Sequence, residues 1–467
     1  MKSIETALFE RFVSTVCFLI TTGTALMYAQ WEPDVRLTSD PNSSYLSHNN
    51  AKCVGADNDF VHVLWFDNRT GNDEIFYKRS VDMGVTWYPE ISITDDFGLS
   101  WDPSLAVYDS MVHVVWADNR EGSFQLYYAR STNAGRIWGS DTNPTNGSTA
   151  GYPSVSVSGQ IVHLFWGGIC YQRSTDNGVT WQSDTLLCTG FSPSSATSGS
   201  YVHLVLPSVY YKRSVDQGIV WESNVYLTTG ISPTIAAANP YVHVVYVKDD
   251  EIYYKRSINN GISWEPEMQL TTEAVSPAEP SIDASGAYIH IVWADDRDSN
   301  YEIYYLRSTD DGSTWDADTG LTCDAAYSYY PFVAASGTCV HVIWQDQRDG
   351  NREIYYKRNP MGNTGITECI GAATNAVQLT AMPNPFSKLT TVSFGIEHSA
   401  ELIRLSIYDA SGRLVKYFSI PTSYISNSAS VVWDGRDEYD RQLVDGVYFV
   451  KLEAGDFSAT EKILLVR

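Results

Sequence analysis

The chain has 467 residues, a formal net charge of −24, 18% charged residues and 13% aromatic residues. This length exceeds that of one ordinary domain, and the aromatic, sparsely charged composition excludes a disordered chain and favours β-structure. Because so acidic a chain repels nucleic acid and anionic membranes, we expect no nucleic-acid partner and attribute the charge to solubility.

The N-terminus carries the first recognisable pattern. Residues 12–29 read FVSTVCFLITTGTALMYA, an apolar stretch with small residues near its end. This pattern predicts a secretory signal peptide over residues 1–29, in which Glu5 and Glu10 are atypical. No later segment has the roughly 18 continuous apolar residues of a membrane helix. The mature chain is therefore expected to be secreted or held at the cell surface, without a transmembrane segment.

Six cysteines would remain after removal of the signal peptide, and no CxxC pair occurs. This number is small for a chain of this length, so the fold is not expected to depend on disulfides. A zinc site is not expected without such pairs, and the acidic loops lack calcium-loop spacing. We predict neither a metal nor a cofactor.

A Val/Ile-His-Val/Ile/Leu strand recurs at spacings of 40 to 51 residues, which indicates a repeat fold. Seven of the nine histidines lie at this position: His62, His113, His163, His203, His243, His290 and His341. A tyrosine-rich strand follows each copy and ends in an arginine, namely Arg79, Arg130, Arg173, Arg213, Arg256, Arg307 and Arg358. Seven equivalent residues of one kind favour core roles over catalysis.

Six copies continue into a turn of the form S-x-D/N-x-G-x-x-W. Its acidic or amide residue can accept hydrogen bonds from turn amides, its glycine permits a positive φ, and its tryptophan returns to the apolar layer. These turns resemble the Asp boxes of sialidase-like propellers, in which the turn has a structural role. The box residues are Asp82, Asn133, Asp176, Asp216, Asn259 and Asp310.

An outer strand follows each box, as in residues 264–271 (WEPEMQLT), so that each unit offers the four strands of a propeller blade. Sialidases usually have six blades, whereas the His strand occurs seven times here. The seventh unit lacks a box and an outer strand, but residues 31–38 (WEPDVRLT) form an unassigned outer strand near the N-terminus. We therefore predict an all-β fold with a seven-bladed propeller over residues 30–358, closed by the N-terminal strand.

Residues 359–375 are predicted to be a linker, and residues 376–467 an Ig-like β-sandwich with alternating strands. This segment contains PNPF, YDASGRLV, WDGRD and DGVYFVKL, and it ends in KILLVR. These motifs resemble the Ig-like domain of flagellar hook-capping proteins and the type A C-terminal sorting domain of type IX secretion. The resemblance implies export or surface tethering through the secretion machinery. The alternative is a passive structural module.

Residues that depart from the repeat are the better candidates for function. Only four copies carry Asp-x-Arg after the His strand: Asp67 and Arg69, Asp118 and Arg120, Asp295 and Arg297, and Asp346 and Arg348. The linking loops on the same face carry aromatic residues: Trp101, Tyr152, Phe191 and Tyr330. Aromatic rings beside Asp and Arg suit a carbohydrate ligand. The alternative is that each Asp–Arg pair only ties neighbouring blades together.

The resemblance to sialidases implies three arginines that clamp a carboxylate, a Tyr–Glu nucleophile pair and an Asp acid, together with an Arg-Ile-Pro motif. This motif is absent. Glu273, Glu279 and Asp102 lie in linking loops and offer carboxylates for glycoside hydrolysis, but no spacing selects a pair, so the catalytic residues are unknown. The sequence leaves three hypotheses: a non-catalytic protein that binds glycan or another extracellular ligand, an exo-sialidase-type glycoside hydrolase, or a structural adhesion protein.

Overall fold

The computed structural model describes residues 31–48, 51–145, 150–362, 378–382, 386–395, 403–409, 413–420, 429–437, 441–454 and 457–466. The chain divides into two compact units, Met1–Gly365 and Ile366–Arg467. The predicted signal peptide lies outside the described residues, as do residues 363–375 of the predicted linker. In the described part of the chain, no helix has the length and apolar character required to cross a membrane.

The described part of the first unit contains seven antiparallel sheets, numbered here by their His strands; the first strand, β1 (Val35–Arg36), belongs to sheet seven. Sheet one contains β2 (Ser44–Tyr45), β3 (Val54–Asp57), β4 (Phe60–Asp67), β5 (Glu74–Ser80) and β6 (Ile91–Ser92), and sheet two contains β7 (Ser100–Tyr108), β8 (Met111–Asp118) and β9 (Gln125–Ser131). Sheet three contains β10 (Ser154–Ser158), β11 (Ile161–Trp166), β12 (Cys170–Ser174) and β13 (Thr185–Leu186), and sheet four contains β14 (Ser194–Ser198), β15 (Tyr201–Leu206), β16 (Tyr210–Ser214) and β17 (Val225–Tyr226). Sheet five contains β18 (Ile231–Ala238), β19 (Tyr241–Lys248), β20 (Glu251–Ser257) and β21 (Met268–Gln269), sheet six contains β22 (Ala278–Ser285), β23 (Tyr288–Asp295), β24 (Glu302–Ser308) and β25 (Thr319–Gly320), and sheet seven contains β26 (Ser328–Ser336), β27 (Cys339–Asp346) and β28 (Glu353–Asn359) together with β1. A short 3-10 turn, Pro207–Val209, joins β15 to β16.

The His strands are buried on both faces, as β4 shows with seven of its eight residues buried. The reason is that each sheet packs face to face with its neighbours. Leu64 and Tyr77 of sheet one, for example, share a core cluster with Val114 and Trp116 of sheet two. The innermost strands β3, β7, β10, β14, β18, β22 and β26 contact one another in that order, and β26 contacts β3. Sheets packed in this cyclic order form a β-propeller.

The outer strands are shorter than the sequence predicts. The segment WEPEMQLT contributes only β21 to its sheet, because Trp264 at its start turns back against Tyr211 of the preceding sheet, at 4.8 Å between ring centroids. Sheet two has three strands in the described residues, and its outer segment pairs with β9 through isolated bridges between Ser131 and Trp138 and between Tyr128 and Thr142.

Each of the six Asp boxes connects its own sheet to the sheet before it in the cyclic order. In sheet two, Gly135 lies so close to Tyr77 of sheet one that a Cβ atom would lie 1.7 Å from the tyrosine oxygen. Trp138 packs edge-on against the same tyrosine at 4.9 Å, and Arg79 donates to the carbonyl of Ala134 at 3.1 Å. The Tyr77 hydroxyl also forms a hydrogen bond with Nδ1 of His62, at 2.5 Å. The repeated His, Tyr and Arg residues therefore form one contact with the next box.

The N-terminal segment supplies what the seventh unit lacks. In the register, Val35 pairs with Tyr356 and Arg36 with Tyr355, so β1 is the outer strand of sheet seven. Trp31 packs edge-on against Tyr305 of sheet six at 4.8 Å, the place that a box tryptophan takes elsewhere. These contacts connect the N-terminal segment to sheets six and seven.

The second unit contains two sheets in its described residues. One has the order β29 (Gln378–Met382), β30 (Thr390–Gly395) and β33 (Ala429–Trp433), and the other the order β32 (Leu414–Ile420), β31 (Ile403–Asp409), β34 (Gly446–Ala454) and β35 (Phe457–Leu465). Their shared core contains Val392, Leu405, Trp433 and Val450. This arrangement is a β-sandwich.

Replacing Trp31 with Ala tests the role of the N-terminal segment. Loss of the indole leaves Tyr305 uncovered, and we expect the free energy of unfolding to fall by about 2–4 kcal/mol. Chemical denaturation measures this change. The control is Tyr226→Ala, an exposed ring on β17 that should cost no more than about 0.5 kcal/mol. Equal denaturation midpoints for the two variants would show that Trp31 does not stabilise the first unit.

Candidate functional site

The aspartates of the four Asp-x-Arg loops are buried acceptors. Their side chains are 0% exposed. Asp118 accepts a hydrogen bond from the Trp116 indole at 3.0 Å and from the Arg120 backbone at 2.9 Å. The same indole and backbone bonds occur in the other three loops, at 2.8–3.1 Å and 2.9–3.2 Å. The motif is thus a Trp-x-Asp-x-Arg turn that ends the His strand.

The four arginines are each paired with carboxylates. Arg120 forms ion pairs with Asp118, with Asp141 beyond the box of the same unit, and with Asp96 in the preceding linking loop, all at 2.6 Å. Each guanidinium also lies 3.9–4.4 Å from the ring of Phe76, Tyr127, Tyr304 or Tyr355. The corresponding outer partners are Glu90 for Arg69, Asp318 for Arg297 and Asp34 for Arg348.

Electrostatics in the turn of Asp118 and Arg120 favours the charged forms of both residues. Burial raises the pKa of the Asp118 carboxyl, but the hydrogen bonds from Arg120 outweigh this effect and hold the pKa below its ordinary value. Burial lowers the pKa of Arg120, and its bonds to Asp118 and Asp141 reverse this and raise it. The geometry therefore favours the structural interpretation of the Asp-x-Arg loops over their use as ligand donors. Their role in binding stays a prediction.

The predicted aromatic residues lie in different surroundings. The Trp101 indole donates to Asp73 at 2.7 Å and its ring stacks on Phe124, so it is engaged within sheets one and two. Tyr152 is 41% exposed and Phe191 is 63% exposed. Their rings lie edge-on to each other, with 6.4 Å between the ring centroids. Tyr330, by contrast, lines a cavity.

This cavity, of about 320 Å³, lies among sheets six, seven and one on the face of the linking loops. It is lined by Tyr45, His48, Ala278, Glu279, Tyr301, Tyr329, Tyr330, Gln345 and Arg352. These residues occupy linking loops, strand ends and the turns after the His strands, where the repeat varies most. We call them the tyrosine pocket.

Glu279 is the acidic residue of the tyrosine pocket. Its Oε2 accepts the Tyr330 backbone N–H at 2.9 Å. Burial raises the pKa of the Glu279 carboxyl to about 7, although bonds from Tyr330 lower it. Burial and Glu279 together raise the pKa of the Tyr330 hydroxyl to about 12. The sequence selected no Tyr–Glu pair, and the structure brings this one together.

His48 connects the pocket to a second carboxylate. Its ring packs edge-on against Tyr330 at 4.9 Å, and its Nδ1 lies 3.4 Å from Asp102. Asp102 also accepts the His48 backbone N–H at 3.1 Å. Two of the three carboxylates proposed from sequence, Glu279 and Asp102, thus lie on either side of His48 and Tyr330. Glu273 is exposed and lies outside the pocket lining.

An unusual backbone conformation, with positive φ, is shared by Asp102, Glu279 and Tyr330. Each precedes a proline at the start of an inner strand and has φ of 50–55°. Non-glycine residues held in this region cost roughly 1–3 kcal/mol and cluster at functional sites. Tyr152, Ser192 and Ser232 hold the equivalent positions in other sheets. The sequence signal for these positions is the variable residue before a proline that recurs at the start of inner strands.

A second cavity, of about 200 Å³, is enclosed by inner strands of all seven sheets. Small residues such as Gly55, Ala106 and Ala236 line it, and an ion pair between Lys52 and Asp283 lies within it. In the described residues no cluster of His, Cys, Asp and Glu has the grouping of a metal site. The tyrosine pocket is thus the better candidate for a ligand site.

Comparison with known families identifies one part of the chain. Residues 384–457 match the model of the FlgD Ig-like domain. The C-terminal unit therefore carries an Ig-like domain of this kind. No curated protein is significantly similar to the chain.

Several solved structures are similar to the chain. They include the Trypanosoma rangeli sialidase, at 10% identity and a TM-score of 0.42, covering 93% of this chain and 91% of that chain. YCF48 from Cyanidioschyzon merolae has 12% identity, a TM-score of 0.44 and coverages of 70% and 99%. Polysaccharide lyase Uly1 has 9% identity, a TM-score of 0.45 and coverages of 71% and 99%. Such low values support no argument about activity, and the propeller fold rests on the packing of the chain's own sheets.

Replacing Arg120 with Ala separates the two interpretations of the Asp-x-Arg loops. The change leaves Asp118 buried without its counter-ion, and we expect the free energy of unfolding to fall by about 2–4 kcal/mol. Glycan affinity should change less than about twofold. Arg136→Ala, at an exposed arginine in the box of the same unit, is the control and should cost no more than about 0.5 kcal/mol. Normal stability with lost binding would make Arg120 a ligand donor.

Replacing Glu279 with Gln tests whether the Glu279 carboxyl has a raised pKa. The pKa of Glu279 is raised from 4.5 to about 7, so its stabilising effect is fully present below pH 4.5 and is lost as pH rises through 7. Relative to the wild type, we expect Glu279→Gln to gain up to about 3 kcal/mol of stability across this window. Denaturation at several pH values measures the gain. Glu273→Gln is the control, and a difference in stability that does not change with pH for Glu279→Gln would refute the raised pKa of Glu279.

Proposed function

We propose that this protein is a secreted or cell-surface propeller that binds carbohydrate in the tyrosine pocket without chemical turnover. The observation that carries the proposal is the pocket itself, which combines four tyrosines with Glu279, His48 and Arg352. Tyrosine rings offer flat faces for the C–H surfaces of sugars, and their hydroxyls and the ionisable groups offer hydrogen bonds. The repeated box residues, in contrast, are used within the fold.

The first unit is proposed to be a closed ring of seven blades. The cyclic contact of the inner strands and the pairing of β1 with β28 support this proposal. Arg358 of sheet seven also donates to the Met83 carbonyl in the box of sheet one at 3.0 Å, as its counterparts do between other neighbours. A closed ring leaves no sheet edge between its first and last blades.

The C-terminal unit is proposed to address the protein to the cell surface through the secretion machinery. The support is the match to the FlgD Ig-like domain and the motifs PNPF and KILLVR. A passive module remains the alternative. Fractionation of cells that produce the chain with and without residues 376–467 distinguishes the two, since only a sorting domain changes where the propeller accumulates.

Glycoside hydrolysis is the second candidate function. The observation that favours it is Glu279, whose pKa of about 7 suits a proton donor, near the second carboxylate Asp102. Against it, the four Asp-x-Arg arginines are engaged by carboxylates of the fold. A purely structural adhesion protein is the third candidate and requires no ligand in the pocket.

A glycan array combined with turnover assays on fluorogenic glycosides tests these candidates. We expect saturable binding without release of the fluorophore, and at least tenfold weaker binding by Tyr329→Ala, which removes a ring of the pocket lining. Tyr226→Ala, on an outer strand, is the matched control and should bind like the wild type. Release of sialic acid or another sugar that Glu279→Gln abolishes would support hydrolysis. Absence of binding to every glycan would favour the structural role.

A further inference from the structure

The tyrosines of the pocket continue into a row of rings that reaches solvent. Tyr301 and Tyr329 line the cavity, and their ring centroids lie 5.2 Å apart. Tyr327 stacks on Tyr329 at 5.5 Å with an interplanar angle of 21°, and it is 45% exposed. Tyr327 is not part of the cavity lining. The row therefore extends the site outward from the pocket along the linking loop between sheets six and seven.

The size of the cavity indicates that a bound saccharide extends beyond it. At about 320 Å³ the cavity is at the lower end of the range of ligand sites. It accommodates the end of a saccharide but not a longer chain. The next sugar ring would lie outside the cavity, where Tyr327 presents an exposed aromatic face. A row of rings at this position suits a chain of several sugars.

The charges around the site oppose an anionic ligand. The four Asp-x-Arg arginines, in sheets one, two, six and seven, are each paired with two or more carboxylates, and the whole chain carries a net charge of −24. Within the pocket, Arg352 lies 5.3 Å from the centroid of Tyr45 and donates to its hydroxyl at 3.3 Å. Glu279 adds an acidic group to the same cavity. An acidic sugar in the pocket would therefore be close to one arginine, Arg352, which already donates to Tyr45, and would lie in a negative electrostatic potential.

We propose that the tyrosine pocket takes the end of an uncharged oligosaccharide, whose next residues lie on Tyr329 and Tyr327. This inference rests on the proposed carbohydrate binding and adds the class and length of the ligand. Tyr327 is then a specificity-determining residue for chain length, and the acidic surroundings exclude uronate, sialylated and sulfated sugars.

Calorimetric titration of the full chain with two oligosaccharide series tests the inference. The neutral series contains gluco-, xylo-, manno- and chito-oligosaccharides of one to six units, and the acidic series contains oligogalacturonates and sialyllactose. We expect affinity to rise with length in one neutral series. Acidic sugars of the same length should bind at least tenfold more weakly.

Tyr327→Ala and the control Tyr226→Ala are titrated in parallel. Both rings are exposed, so both variants should keep the melting temperature of the wild type. We expect Tyr327→Ala to weaken binding of the longer neutral oligosaccharides about three- to tenfold and to leave short ones unchanged. Tyr226→Ala should change neither.

The outcomes separate the inference from the function on which it rests. If no saccharide of either series binds, carbohydrate binding itself is wrong. If saccharides bind but Tyr327→Ala acts equally at all lengths or not at all, the extended site is wrong. If acidic sugars bind as tightly as neutral ones, and Arg352→Gln abolishes this binding, the pocket is an anion site and the inference is overturned.

Discussion

The contact between a tyrosine of one sheet and the Asp box of the next is the interaction on which the first unit depends. In this contact the tyrosine hydroxyl lies against a glycine that has no room for a Cβ atom, and the box tryptophan covers the ring. The histidine beneath the tyrosine is fully buried. Burial lowers the pKa of His62 to about 3, so the imidazole stays neutral at ordinary pH. The contact orients each sheet against its neighbour.

The same contact explains why the repeat constrains so many residue types. The glycine requires both its positive φ and the absence of a side chain, as Gly135 shows with φ of 75°. The strand-end arginine donates to the carbonyl just before that glycine in the next sheet. None of these residues is available for a ligand, since each one completes the interface between sheets. Function must therefore lie at positions where the units differ.

The linking-loop face shows two kinds of departure from the repeat. In the turn of Arg120, ion pairs join the end of the His strand to the outer segment and to the preceding linking loop, and the charge is neutralised within the fold. The residues before the inner-strand prolines have strained backbones and bring Asp102, Glu279 and Tyr330 to one site. The Asp-x-Arg turns therefore stabilise the fold, whereas the residues before the inner-strand prolines contribute to the pocket that we propose as the binding site.

The sequence by itself determined the strand order within a unit, the boxes and the unit length, because these follow from local patterns that recur, seven times for the His and Tyr strands and six times for the boxes. It also singled out Asp102, Glu279 and Tyr330, yet it could not join them, since they come from three different units more than 50 residues apart in the chain. His48, Tyr45 and Arg352 went unnoticed because nothing in their local sequence marks them. Only the tertiary structure decided that the Asp-x-Arg arginines are saturated by carboxylates and that a tyrosine pocket lies beside them. The physical reason is that burial and charge pairing depend on neighbours brought together by the packing of sheets.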